Sequence, residues 1–176
     1  MKASESGLSA RAAELALAFD AGFAEAPQRD ERARVDVLAV RLGGAAYALR
    51  LGELAGVFAR RSVVALPSPV PELLGLVSIR AAILPVYDLA ALLGLARRDA
   101  AWLVVASEAP VAFAFDELDG YWRLPPEAIL PAAPGAASTA ILELVQHAEQ
   151  FRPLIHLPAL LNGIATRTDQ ARAKGA

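Results

Sequence analysis

The stretch GLVSIRAAILPVYDLAALLG, residues 75–94, decides the fold. Its apolar pattern predicts a buried strand over Leu76–Val86. A short helix follows between Asp88, which is placed to cap it, and Gly94, which can end it. Arg80 lies in the middle of the apolar run with no acidic residue nearby in sequence. Because a guanidinium keeps its charge in proteins, we expect Arg80 either to find a partner or to reach the surface.

Strand geometry gives this segment two faces, because successive side chains of a strand point in opposite directions. The apolar face is predicted to be core and consists of Val77, Ile79, Ala81 and Ile83. The other face is a small flat patch around one fixed cation and consists of Ser78, Arg80 and Ala82. A patch of this kind suits contact with another protein. The candidate partner-binding residues are therefore Ser78, Arg80 and Ala82, together with their neighbours Val77 and Ile79.

The composition excludes several classes of site. The 176 residues suffice for one domain or two small subdomains, and a hydrophobic fraction of 56% allows a sizeable core. The net charge is −2, so no overall excess of basic residues is present to neutralise phosphates, and nucleic-acid binding is disfavoured. Cysteine is absent, which excludes disulfides, thiolate zinc sites and cysteine nucleophiles.

Residues 1–34 are predicted to form an N-terminal helical extension and linker. Leu15, Phe19 and Phe23 fall on one helical face. This stripe can dock on a partner helix or cover the chain's own β domain, and the sequence leaves both open. Charged residues interrupt the region, so it does not fit a signal peptide, and no apolar run reaches the roughly 20 residues of a membrane span. We therefore expect a cytoplasmic protein.

From residue 35 onward, short apolar runs alternate with turn residues, which is typical of small barrels or a sandwich. The predicted strands are Val35–Leu42, Ala45–Leu51, Leu54–Phe58, Val63–Leu66, Leu76–Val86, Ala101–Ala106, Val111–Phe115, Tyr121–Leu124 after an Asp119–Gly120 turn, Thr139–Gln146 and Phe151–His156. A helix over Leu157–Ile164 is predicted to close the domain at residue 164. Residues 165–176 are predicted to be a flexible tail.

Two segments of the chain resemble each other: VYDLAALLG at 86–94 and LIHLPALLN at 154–162. Each is a strand end that runs into a short, leucine-rich helix. The pair indicates a pseudo-duplicated architecture of two β blocks. Chance similarity between leucine-rich segments is the competing explanation.

No arrangement of residues favours catalysis. The chain has two histidines and lacks the HExxH, CxxC, GxSxG, P-loop and GxGxxG motifs. Asp116, Glu117 and Asp119 form an acidic cluster, but its spacing lacks the further oxygen ligands that calcium needs, so a solvated hairpin tip is favoured. We expect no enzymatic activity, no metal and no cofactor.

At residues 75–94 the chain resembles the CheW-like family of chemotaxis coupling proteins, whose pattern is roughly G-V-I-N-L-R-G-x-I-x-P-V-I-D-L-x-x-x-L-G. The matching positions are Gly75, Val77, Arg80, Ile83, Pro85, Val86, Asp88, Leu89, Leu93 and Gly94. Flanking segments resemble the family in the family's own order, so the resemblance covers about residues 35–162.

The resemblance implies a mainly β fold over residues 35–164, built as two SH3-like β-barrel subdomains with an N-terminal helix and short helices after strands. It implies no catalysis. Members of this family bridge chemoreceptors to a CheA-type histidine kinase, docking against the kinase's own CheW-like regulatory domain and the receptor's cytoplasmic tip. We therefore expect a cytoplasmic adaptor, or scaffold, that acts in chemotaxis-type signal transduction through protein–protein interaction.

The chain departs from the family pattern around Arg80. The family's asparagine is Ser78 here, the glycine after the arginine is Ala81, and an acidic residue of the preceding strand falls at Gly56. A usual carboxylate partner for Arg80 is therefore missing. A second hypothesis follows, that of a divergent adaptor that no longer binds the kinase and serves another partner. A third, a small-molecule site in the cleft between the barrels, would need convergent polar groups, of which the sequence offers few.

Overall fold

The computed structural model describes residues 34–132 and 139–174, and eleven strands and two α-helices lie within these ranges. The strands are β1 Val35–Leu42, β2 Ala45–Arg50, β3 Leu54–Ala59, β4 Leu73–Ile79, β5 Ala82–Asp88, β6 Trp102–Ala106, β7 Ala112–Phe115, β8 Glu117–Leu124, β9 Ile129–Pro131, β10 Ile141–His147 and β11 Gln150–Ile155. The helices are α1 Leu89–Leu92 and α2 Leu157–Lys174. The predicted N-terminal helix, with Leu15, Phe19 and Phe23, lies outside the described residues.

The strands form two sheets that share a five-strand pairing pattern, and the first sheet has β9 in addition. The first sheet has the order β8-β1-β2-β11-β10-β9, and the second has the order β3-β6-β7-β5-β4. In the first sheet, β8 pairs antiparallel with the β1–β2 hairpin, and β2 pairs in parallel with β11 of the β10–β11 hairpin. In the second sheet, β3 pairs antiparallel with the β6–β7 hairpin, and β7 pairs in parallel with β5 of the β4–β5 hairpin. The prediction of a mainly β chain is confirmed.

The two halves of the chain exchange strands. The hairpin β1–β2 joins β8–β11 from the second half, whereas β6–β7 joins β3–β5 from the first. Aligning Asp88 with His156 also aligns Pro85 with Pro153, and each of these segments ends a strand and begins a helix. The topology therefore supports the predicted duplication, and each sheet depends on both halves of the chain.

The main core connects the two sheets. Val40 and Leu49 of the first sheet, Val104 and Phe113 of the second, and Leu157 of α2 are all 0–1% exposed and belong to one apolar cluster. Each sheet also has a smaller cluster of its own. Burying a side chain the size of leucine or phenylalanine contributes about 1.5–3 kcal/mol, so the shared cluster ties the two sheets together.

Neither sheet closes into a continuous barrel among the described residues. In the second sheet the edge strands β3 and β4 are not paired, and the predicted strand Val63–Leu66 is reduced to one bridge between Val64 and Leu76. Both backbone hydrogen bonds of that bridge are 2.8 Å long. The SH3-like barrels therefore stay a prediction, while the two-sheet β architecture is confirmed.

Each helix begins at a capping carboxylate, but the two carboxylates come from different places. Asp88 Oδ1 accepts a hydrogen bond from the Ala91 N–H at 2.9 Å, as the sequence predicted. The Leu157 N–H at the start of α2 instead donates to Glu53 Oε2, at 2.8 Å, from the corner between β2 and β3. Burial raises the pKa of Glu53, against the hydrogen bond from Leu157 and the nearby charge of His156, which lower it.

The last helix is longer than predicted. It continues from Leu157 to Lys174 rather than ending at Ile164, so most of the expected tail, residues 165–176, is helical. Leu160 and Ile164 bury this helix against the main core, which stabilises it beyond what its local sequence indicates. Among the described residues, no helix combines the length and the apolar character that crossing a bilayer requires.

Candidate partner-binding groove

The predicted strand Leu76–Val86 is in fact a hairpin, and Arg80 lies at its tip. Strand β4 ends at Ile79, β5 begins at Ala82, and Ile79 pairs with Ala82. The two turn residues Arg80 and Ala81 have φ values of 50° and 65°. Positive φ at both positions is the type I′ pattern, which asparagine and glycine usually supply. Neither arginine nor alanine favours the left-handed region, so the two residue types do not predict this turn.

This turn changes which side chains share a face. Val77 and Ile79 are 2% and 8% exposed and lie in the core of the second sheet, as their alternation predicted. Ile83, predicted to join them, is 71% exposed, because the turn pairs it with Ser78 on the outer face. Ala81, also predicted to be core, is an exposed turn residue.

A groove of about 390 Å³ opens beside the hairpin tip, and we call it the Arg80 groove. Its lining is mostly apolar and consists of Ala55, Phe58, Ile79, Arg80, Ala82, Leu84 and residues 105–110. Of the five predicted partner-binding residues, the structure brings Ile79, Arg80 and Ala82 together here. Ser78 faces the other side beside Ile83, and Val77 is buried beneath the sheet surface.

The partner of Arg80 is an aromatic ring. Its guanidinium lies 5.7 Å from the centre of the Phe58 ring, within the range of a cation–π interaction. The same ring lies over Gly56, since a Cβ added at Gly56 would come within 2.9 Å of Phe58 Cε2. The family's carboxylate position is thus covered by Phe58. No described carboxylate lies within 4.0 Å of the Arg80 guanidinium, so its charge is not neutralised by an ion pair.

Sequence reasoning missed Phe58 and the loop 107–110 as parts of the groove. Phe58 ends the predicted strand Leu54–Phe58, and the loop lies between the predicted strands Ala101–Ala106 and Val111–Phe115. Two departures from the family pattern were the available signals: Gly56, two residues before Phe58 on the same face of β3, and Ala81, where the family's glycine suggests a turn. Both departures are visible in the sequence, but neither predicts that Phe58 replaces the carboxylate as the contact of Arg80.

The acidic cluster at 116–119 is not a solvated hairpin tip. Strand β8 continues through the predicted Asp119–Gly120 turn, and a bulge opposite Ala39 and Val40 accommodates the extra residue. Asp116 is buried and accepts a hydrogen bond from the Gly44 N–H at 3.3 Å. The described residues hold no group of three or more His, Asp or Glu side chains arranged for a metal ion.

Asp119 instead lies between two arginines. Its carboxylate accepts hydrogen bonds from Arg152 Nη1 at 2.7 Å and from Arg41 Nε at 3.1 Å. Burial alone would raise the pKa of Asp119, but the hydrogen bonds and charges of both arginines outweigh it and hold the pKa below its ordinary value. Arg152 also lies 4.7 Å from the centre of the Trp122 ring, which stacks on His147. These residues form a structural network within the first sheet.

Two sheets of one repeated pairing order, each with a helix after its last hairpin, define a β protein of duplicated topology. A family model described as the CheW-like domain matches residues 36–165, and the protein belongs to this family. The predicted resemblance is confirmed, over nearly the residues that carried it.

One solved structure of similar fold is the crystal structure of the scaffolding protein TtCheW from Thermoanaerobacter tengcongensis. The two chains are 17% identical with a TM-score of 0.64, and the match covers 70% of this chain and 89% of that one. At this identity the similarity shows the fold alone. No curated protein matches the chain.

Proposed function

We propose that this protein is a non-catalytic adaptor of chemotaxis-type signal transduction that couples chemoreceptors to a CheA-type histidine kinase in the cytoplasm. The observation that carries the proposal is Arg80, a cation at the tip of an exposed hairpin, beside an apolar groove and without a described carboxylate partner. Each sheet with its flanking loops is one of the two SH3-like β-barrel subdomains. The adaptor needs no cofactor.

The Arg80 groove has the character of a protein-binding surface. Arginine and aromatic side chains are enriched among interface residues whose truncation costs most, and Arg80 and Phe58 supply one of each. Exposed Ile83 extends apolar surface beyond the groove on the adjacent face. Ile79, Arg80 and Ala82 contact the partner from the groove, Ser78 contacts it from the outer face, and Val77 supports the strand beneath. The N-terminal stripe of Leu15, Phe19 and Phe23 is a second docking element.

A second candidate is an adaptor of the same fold that serves a different partner. It is favoured by Phe58, whose ring occupies the space over Gly56 where the family carries a carboxylate. The Phe58 ring contacts the Arg80 guanidinium but does not neutralise its charge. The surface offered to a partner is therefore more apolar and more positive than one with a carboxylate at position 56. Such a change alters which partner is complementary without altering the fold.

Calorimetric titration of the kinase's CheW-like regulatory domain tests the main proposal. If Arg80 is an interface residue, Arg80→Ala weakens the affinity by about 30-fold or more, the effect of losing roughly 2 kcal/mol, and leaves the melting temperature nearly unchanged. Arg123→Ala is the matched control, because Arg123 is also an exposed arginine but lies on β8 of the other sheet. Unchanged affinity with a lowered melting temperature would show that Arg80 only braces the hairpin.

The same titration with a receptor cytoplasmic-tip fragment separates the two candidates. The main proposal requires that the wild-type protein bind both the kinase domain and the receptor fragment. Binding of the receptor fragment alone, with Arg80→Ala weakening it, would favour the second candidate. Deleting residues 1–30 and repeating both titrations tests the N-terminal stripe, with the melting temperature as the check on folding.

A further inference from the structure

A second cavity, of about 570 Å³, lies at the end of the second sheet away from the Arg80 hairpin, and we call it the arginine pocket. Its lining includes Asp88 at the far end of β5 and Trp102 at the start of β6. Four exposed arginines line it: Arg60, Arg61, Arg97 and Arg98. The whole chain has 17 basic and 19 acidic residues, so this concentration of positive charge is a local feature.

The pocket's arginines are only partly neutralised. Arg97 Nε lies 3.5 Å from Asp88 Oδ2, and Arg60 Nη1 lies 3.2 Å from Asp99 Oδ2. Arg61 and Arg98 have no carboxylate within 4.0 Å among the described residues. Two of the four arginines that line this cavity therefore have no carboxylate partner among the described residues, and a bound dianion would relieve the repulsion between the like charges.

Two of these arginines lie close to other parts of the fold, and Arg97 is bonded to them. The Arg98 guanidinium lies against the turn between β1 and β2, where a Cβ added at Gly44 would come within 2.9 Å of Arg98 Nη2. Arg97 donates a hydrogen bond to the Pro71 carbonyl and pairs with Asp88, which itself caps α1. Side chains that are ordered before binding lose less conformational entropy when a ligand arrives.

Part of the pocket's lining is apolar. Leu74, Leu103 and Ala114 line it from the smaller cluster of the second sheet, and Trp102 is a further lining residue at the start of β6. A volume of this size lies within the range of small-molecule sites, which combine an apolar lining with a few convergent polar groups. A ligand that matches the pocket therefore carries a compact anion at one end and an apolar or aromatic group at the other.

We propose that the arginine pocket binds a small phosphate monoester with an aromatic body. Arg61 and Arg98 receive the phosphate, because the planar guanidinium donates paired N–H groups that match phosphate oxygens, and Trp102 contacts the ring. The ligand leaves the Arg80 groove free, so this binding is independent of the adaptor function.

Calorimetric titration of the full chain with phenyl phosphate tests the proposal, at pH 7.5 and low salt, where a phosphate monoester is mainly dianionic. Inorganic phosphate and phenol are titrated separately, because they carry only the anionic part and only the aromatic part of phenyl phosphate. We expect phenyl phosphate to bind at least tenfold more tightly than inorganic phosphate, phenol to show no saturable binding, and the tryptophan fluorescence of the chain to change with the same midpoint. Equal affinity for both phosphates would overturn the role of the aromatic body, and no binding of phenyl phosphate would overturn the site.

Charge-removing variants locate the binding. Arg61→Gln and Arg98→Gln are each expected to weaken phenyl phosphate binding about tenfold, since each removes a charge-assisted contact. Arg123→Gln, an exposed arginine of the first sheet, is the matched control and is expected to bind as the wild type does. An equal loss in all three variants would mean that an adventitious ion only is bound through overall charge. Binding of a glutamate-rich peptide in place of phenyl phosphate would overturn the proposal in favour of an acidic protein partner.

Discussion

Asp119 and Arg152 form the most buried ion pair of the described residues, with Oδ2 and Nη1 2.7 Å apart and the Arg152 side chain 7% exposed. Because the guanidinium cannot lose its proton, removing the carboxylate leaves a buried charge without its main partner. We expect Asp119→Asn to lower the free energy of unfolding by about 3 kcal/mol, measured by urea denaturation. Asp36→Asn is the control. It breaks the exposed pair with Arg123 and is expected to have a much smaller effect.

The same pair predicts a pH dependence. The folded protein holds the pKa of Asp119 below its ordinary value, so its carboxylate contributes stability above the unfolded pKa of about 3.9. That contribution is lost as the pH falls from about 5 through the lower pKa of the folded state. We expect the stability of the wild-type protein to fall more steeply in this range than that of Asp119→Asn. Parallel curves for the two proteins would contradict the assignment.

The hairpin turn at Arg80 and Ala81 predicts a stabilising substitution. A non-glycine residue at positive φ carries backbone strain that glycine does not have. Ala81→Gly is therefore expected to raise the free energy of unfolding by about 0.5–1 kcal/mol, equivalent to a melting temperature about 2 °C higher in a chain of this size. The neighbouring Ala82→Gly, in a strand, should destabilise by about 0.5–1 kcal/mol. A loss of stability in both variants would contradict the left-handed turn.

At Gly75, in contrast to Ala81, a substitution is expected to destabilise the protein. Its φ is 144°, and an added Cβ would lie 2.1 Å from the Val64 carbonyl oxygen, which accepts the bridging hydrogen bond of Leu76. Backbone strain and steric overlap each cost about 1–3 kcal/mol, so Gly75→Ala is expected to destabilise by about 3 kcal/mol or more. Gly52→Ala has no atom within 4 Å of the new Cβ and should change stability by less than about 0.5 kcal/mol. Thermal unfolding of the two variants compares them directly.

The Phe58 ring occupies the space beside Gly56, so substitutions at these two positions are expected to change the free energy of unfolding non-additively. In Gly56→Glu the new Cβ meets the Phe58 ring, whereas in Gly56→Glu with Phe58→Ala that space is free and a carboxylate is restored at the family position. We expect the double variant to be more stable than the sum of the single changes predicts, by about 1 kcal/mol, in urea denaturation. Gly52→Glu with Phe58→Ala is the control pair and should be additive. Additive energies for the Gly56 pair would contradict the contact.

Much of the fold follows from features that act over a few residues. The alternation of Val77 and Ile79 and the Asp88 cap were both predicted, because side-chain alternation and capping depend on chain neighbours. The turn at Arg80 was not predicted. Arg80 and Ala81 both have positive φ, a conformation that neither residue type favours, so their identities do not predict the turn.

The sequence by itself determined the family and the two β blocks, and it showed that Arg80 needs either a partner or the surface, because its charge is permanent. Only the tertiary structure decided what Arg80 meets, since Phe58 reaches it from another strand, and what neutralises Arg152, since Asp119 comes from β8. The alternation of apolar residues predicts which face of a strand is buried, but it does not predict which other strands pair with it or pack against it. The exchange of strands between the two halves, and the groove and the pocket at either end of the second sheet, depend on those long-range pairings.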